Sequence, residues 1–124
     1  MADKLRITVG DVSVTATCRD TPTAQAVLEA CPIQSQASTW GDEVYFSAPV
    51  SPAPESDQKQ VVEPGEIAFW IDGGAIAVGF GPTPMSQGDE CRLAAPCNIF
   101  ADADDDVRAF KACGAGETVT VEKV

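Results

Sequence analysis

The chain has 124 residues, 44% of them hydrophobic, which suits one folded domain and excludes intrinsic disorder. Eight Lys and Arg against nineteen Asp and Glu give a formal charge of −11 and a pI of about 4.1. A surface this acidic repels nucleic-acid phosphates and anionic membrane, and no apolar run approaches the roughly 18 residues of a membrane helix, so neither is expected as a partner.

The N-terminal MADKLRITV lacks the apolar stretch of a secretory signal, so a cytoplasmic location is expected. Leu5, Ile7 and Val9 alternate with polar residues, Gly10-Asp11 follows, and Val12, Val14 and Ala16 resume the alternation. Two period-2 runs joined by Gly-Asp predict a tight β-hairpin. In DTPTAQAVLEACP, Thr21 is placed to cap a helix and Pro22 to occupy its first position. Ala24, Val27, Leu28 and Cys31 form one apolar face, and Pro32 ends the helix. Residues 33–39 are a weak, polar strand. The strand in TWGDEVYF, residues 39–46, follows, with Val44 and Phe46 inward and Glu43 and Tyr45 outward beside Trp40.

The segment APVSPAPESDQKQ carries Pro49, Pro52 and Pro54 and no apolar period, so it is expected as a mobile surface loop. Beyond Val61-Val62, a turn at Pro64-Gly65 leads to a strand over residues 67–71. A second turn at Asp72-Gly73-Gly74 leads to a returning strand over residues 75–80. Ala75, Ala77, Gly79 and Gly81 leave one side of that strand bare, room for a close neighbour or a ligand. The Gly81–Pro84 loop is rigid, and MSQGDECRLAA reads as irregular. A short strand spans residues 97–101. DADDDVRAFKACGAG then reads as a helix with acids in its first turn, Val107 and Phe110 buried, and Gly114 at its end. A last strand covers residues 117–122. About eight short strands and two short helices suggest a sandwich or a closed barrel.

The chain has no His, which removes the usual general base near neutral pH and every Ser-His or Cys-His nucleophile within the chain. Its five cysteines, Cys18, Cys31, Cys91, Cys97 and Cys113, are odd in number and form no CxxC, so free buried thiols are expected and no metal site. Asp102, Asp104, Asp105 and Asp106 do not make a calcium loop. Counting from Asp102, Val107 stands where Gly is needed and Cys113 where Glu is needed. Gly73-Gly74 and Gly79-Phe80-Gly81 lack the Lys-Ser/Thr or the following helix of a phosphate loop. Asp42, Glu43, Glu63 and Glu66 could pair for acid-base work only if the fold brings two of them together. Cys97 has only Arg92 near it in sequence, too little to activate a thiol.

Three segments together carry a resemblance: TWGDEVYFSAPV (residues 39–50), VVEPGEIAFWIDGGAIAVGFGPTPMS (residues 61–86) and AAPCNIFA (residues 94–101). The chain resembles the small prokaryotic cyclophilin-like domain family of unassigned function over nearly its whole length. The resemblance implies a mainly β fold: a closed eight-stranded antiparallel cyclophilin-like barrel with two short helices capping the ends, as a single domain over residues 1–124. In true cyclophilins, peptidyl-prolyl isomerases, the site lies on the outer barrel face and uses an Arg, a Gln, several aromatics, a Trp and a His. Here the strand matching the Arg-bearing one offers Glu43 and Tyr45. The strand ending at Phe80 matches the one bearing Gln and Phe. Cys97 falls at the His, and Met85 lies near the Trp. A cationic donor suits a twisted amide, and a carboxylate does not.

The function expected is therefore a non-catalytic binding module for a small molecule or an extended peptide, with no cofactor. Its site residues would be Trp40, Glu43, Tyr45, Trp70, Phe80 and Met85, on a monomer or a homodimer. The alternative is a divergent prolyl isomerase, or another enzyme using carboxylates on the barrel face.

Overall fold

A computed structural model describes residues 3–124; Met1 and Ala2, the first residues of the stretch read above for a leader, lie outside it. Strands β1 (Lys4–Val9) and β2 (Val12–Cys18) form the expected hairpin, with Val9 opposite Val12 and Gly10 at φ +57°. Only glycine adopts that backbone at little cost. Helix α1 (Pro22–Ala30) is capped by Thr21, whose hydroxyl accepts the Ala24 N–H at 3.1 Å. Its Ala24, Val27 and Leu28 join the main core.

Next come β3 (Ile33–Gln36), β4 (Ser38–Thr39), β5 (Glu43–Ser47), β6 (Lys59–Val62), β7 (Glu66–Trp70) and β8 (Ala75–Gly79). The chain ends with β9 (Cys91–Ala103), a 3-10 helix over Val107–Ala112, and β10 (Thr118–Lys123). All pairings are antiparallel, in the order β3-β10-β1-β2-β9-β7-β8-β5-β4, with β6 on β9 off this path. The two ends of the path, β3 and β4, are separated in sequence only by Ala37. The sheet is thus a nearly closed barrel, mainly β, with nine strands on its path rather than eight.

Alternation decides which side each residue faces. Ile67 and Phe69 of β7, Ile76 and Val78 of β8, and Val44 and Phe46 of β5 point into the barrel, where Phe100 and Phe110 also lie. Burying each large side chain contributes about 1.5–3 kcal/mol. The opposite face of β7 and β8 carries Ala68 and Ala77, and it is not left to solvent. The first half of β9 and the end of β6 fold over it, forming a second cluster of Val62, Cys91, Leu93, Cys97 and Ile99 on those alanines. Gly79 completes this contact: a Cβ there would strike the Cys91 sulfur.

Three sequence expectations are corrected. Residues 91–95, read as irregular, are the start of the 13-residue β9, because β6 supplies hydrogen-bonding partners at Val61↔Arg92 and Val62↔Cys91. Pro96 is tolerated mid-strand where the register between β6 and β9 shifts. The helix expected after the acidic run is a short 3-10 helix over Val107–Ala112 with Val107 and Phe110 buried, but most of the acids lie before it rather than in its first turn. Asp102 pairs with Arg19 at 2.7 Å, Asp104 with Lys4 at 2.6 Å, and Asp105 accepts the Thr15 N–H at 2.9 Å. Those neighbours, on β1 and β2 and just beyond β2, extend β9 to Ala103 and leave only Asp106 to cap the 3-10 helix. Finally, the proline-rich loop is anchored. The fully buried Asn98 accepts from the Glu55 N–H at 2.9 Å and donates to the Ala53 carbonyl at 2.9 Å and the Thr23 hydroxyl at 2.9 Å.

Candidate functional site

The WGD turn and the GPTP loop, far apart in sequence, dock on each other. Gly41 sits at φ +60°, and a Cβ there would lie 2.9 Å from the Thr83 Cα and 3.0 Å from the Pro82 carbonyl. The Asp42 N–H donates to the Pro82 carbonyl at 2.9 Å, and the Phe80 N–H donates to the Asp42 carbonyl at 2.8 Å. Thr83 and Ser86 lock the second loop. The Ser86 hydroxyl accepts from the Thr83 and Arg92 N–H groups at 2.8 and 3.1 Å, and the buried Thr83 hydroxyl bonds the Arg92 carbonyl. Together the two loops fix the entry to β5, which carries Glu43 and Tyr45 onto the outer barrel wall.

On that wall is a cavity of about 260 Å³ lined by Trp40, Glu43, Tyr45, Trp70, Ala77, Leu93, Ala94 and Cys97. Its floor is Ala77 of β8, between Tyr45 of β5 and Ala68 of β7 in register. Its far side is the overlying half of β9. Tyr45 and Trp70 stand edge to face, with ring centroids 6.4 Å apart and planes at 85°. Gly73 leaves the space that the Trp70 ring fills, since a Cβ would collide with it.

The polar groups of this cavity are unusual. Glu43 is only 5% exposed, yet its Oε1 has no hydrogen-bond partner among the described residues, and neither has the buried Trp70 Nε1. Buried polar groups without partners cost about 1–3 kcal/mol each and are rare. No ion pair among the described residues includes Glu43, and no lining residue is basic. Burial without a partner pushes the Glu43 carboxyl from 4.5 up to about 7. Desolvation, and after it the Glu43 charge, push the Cys97 thiol up to about 12, so it is a protonated wall and not a nucleophile at neutral pH.

Four of the six residues expected at the site are brought together here: Trp40, Glu43, Tyr45 and Trp70. Phe80 is not among them. It lies in the barrel core, 7% exposed, because its N–H is tied to Asp42 beyond the end of β8 and its ring turns inward. Met85 is 48% exposed on the outer loop and does not line the cavity. Ala77, Leu93, Ala94 and Cys97 were not expected. The bare side of β8 pointed to Ala77, and the resemblance matched Cys97 to the cyclophilin His, but Leu93 and Ala94 had no signal, since their segment reads as irregular until β6 pairs with it. Of the acids, Glu43 alone lines the cavity. Asp42 packs on Gly81, and Glu66 binds Lys59 at 2.6 Å and Arg19 at 3.1 Å elsewhere on the surface. All five cysteines are free, and no group of three or more potential ligands among the described residues is placed to hold a metal. No helix among the described residues is long and apolar enough to cross a membrane.

Comparison with known proteins bears on this geometry. A family model described as Cyclophilin-like matches residues 3–122. A hypothetical protein from Archaeoglobus fulgidus, solved in solution, superposes with a TM-score of 0.85 at 34% identity, covering 99% of this chain and 95% of that one. No curated protein matches.

Proposed function

Because the chain belongs to the cyclophilin-like family, we propose that it uses the outer wall of its barrel as a binding site for a small molecule, without prolyl isomerisation. The observation that carries this reading is an apolar cavity walled by three aromatic rings and by Glu43, which is 5% exposed and has no ion-pair partner among the described residues. An apolar concavity with a few convergent polar groups is the usual make-up of a ligand site. At about 260 Å³ it suits a ligand below drug size, for which pockets run roughly 300–1,000 Å³. β3 and β4, read as one strand bent at Ala37, would count the barrel as eight-stranded and closed, a rigid wall for such a site.

Two features support binding over catalysis. The cavity contains one carboxylate, so paired-acid chemistry has no second partner there. Amide isomerisation has a barrier of about 18–20 kcal/mol, and a cationic donor that would lower it is missing from the lining. An extended peptide is a second reading. A neighbouring cavity of about 200 Å³, lined by Pro54, Gln58 and Pro96, shares Trp70 with the first.

The two indole N–H signals, from Trp40 and Trp70, give a direct test by two-dimensional NMR. A library of neutral, acidic and basic fragments is expected to contain binders that move the Trp70 signal downfield as its N–H gains an acceptor. A library in which no fragment shifts Trp70 would sink the proposal.

A further inference from the structure

We propose that the ligand is a small primary ammonium compound with an apolar body and a neutral hydrogen-bond acceptor at its far end, the ammonium held by Glu43 and the acceptor by Trp70. This inference rests on the binding reading above and names the ligand class. Glu43 lines the cavity, is 5% exposed, and its Oε1 has no hydrogen-bond partner among the described residues. Such an oxygen calls for a donor, and a cationic donor compensates its charge as well. A quaternary ammonium has no N–H to give and would leave Oε1 unmatched. Trp40, Tyr45 and Trp70 supply three aromatic faces or edges around the same space, and a cation over an aromatic face is attracted by the ring quadrupole. The net charge of −11 raises the local concentration of any cation.

The ends of the ligand follow from the strand register. Glu43 lies opposite Gly79, and Trp70 opposite Ala75, on the two flanks of β8. Four residue steps along β8 separate those positions, about 13 Å of strand. Glu43 and Trp70 thus stand toward opposite ends of this stretch of β8, and Ala77 and Leu93 give the cavity apolar surface. A ligand with a polar group at each end and methylenes in the middle matches this layout.

The groups near Glu43 do not change the charge logic. Cys91 and Cys97 approach from β9, and burial pushes both thiols up, so they stay neutral. Tyr45 stands two residues along β5, and the Asp42 carboxylate is turned onto Gly81. With Glu43 titrating near 7, a ligand amine at a lysine-like pKa of about 10.4 is charged throughout pH 6–8, so binding should weaken as Glu43 gains its proton.

The probe is 5-aminopentan-1-ol, compared with pentane-1,5-diol and 5-hydroxypentanoate, by calorimetry with the Trp70 indole signal as a second readout. Expected are at least tenfold tighter binding of the amine than of either analogue, and about tenfold weaker amine binding at pH 6 than at pH 8. Glu43→Gln, checked for folding by its thermal melt, is expected to lose at least tenfold for the amine and to keep its affinity for the diol. If the diol or the acid binds as well as the amine, or affinity does not fall at pH 6, the ammonium assignment is overturned while the ligand site stands. If none of the three probes and no fragment moves Trp70, both fall. Should Glu43→Gln not fold, the ranking of probes and the pH dependence on the unaltered protein decide.

Discussion

Replacing Glu43 by Gln should make the free protein more stable at pH 8 and leave it unchanged near pH 4.5. The carboxyl has an ordinary value of 4.5 and sits at about 7 in the folded chain, because burial penalises its charged form. Between those values the folded state holds a proton that the unfolded state has released. Stability then falls as pH rises through this window, and the loss is complete above 7. At about 1.4 kcal/mol per pH unit, the interval corresponds to about 3 kcal/mol. Gln keeps the shape and the polar atoms but cannot ionise, so it escapes this penalty. The assay is urea unfolding of both proteins at pH 5 and pH 8. The chain contains no His, so few other groups titrate in this range, and those that do are common to both proteins and cancel in the difference. An equal difference between variant and parent at the two pH values would refute the reasoning, since it would mean that Glu43 is solvated or paired.

Gly41→Ala should cost about 1–3 kcal/mol in urea unfolding, from the positive φ and the crowding against Thr83 and Pro84, and should disturb the Trp40 indole signal. Asn98→Ala should cost about 2–4 kcal/mol and speed amide exchange and proteolysis in residues 48–58, since their buried anchor is gone. Gly79→Ala should destabilise by pressing on the Cys91 sulfur, and adding Cys91→Ala should restore part of the loss, a coupling visible in a double-mutant cycle. In the folded protein at pH 8, Cys97 should resist iodoacetamide while the half-buried Cys31 and Cys113 react first, read out by peptide mass spectrometry.

Much of this protein is legible along the chain. The hairpin at Gly10-Asp11, the Thr21-capped helix and the inward Val44 and Phe46 follow from local rules: turn residues, caps and period-2 alternation. The same alternation put Glu43 and Tyr45 on the outer face with Trp40, and the three line one cavity. The failures are all of one kind. The run Asp102–Asp106 looks like a helix start until Lys4, Arg19 and the Thr15 N–H draw its carboxylates onto β1 and β2. The proline-rich loop looks free until Asn98, some forty residues away in sequence, holds it.

The sequence by itself determined the first hairpin, the capped helix and the inward faces of β1, β2 and β5, because these depend on neighbours within a few residues. Only the tertiary structure decided that β9 folds back over the outer wall, that Phe80 turns inward, and that Glu43 and Trp70 end up buried with nothing to bond. Burial of a polar atom depends on every segment that comes to cover it. Here the cover is β9, with Leu93, Ala94 and Cys97 as its share of the lining, laid across a strand of alanine and glycine by pairing with β6.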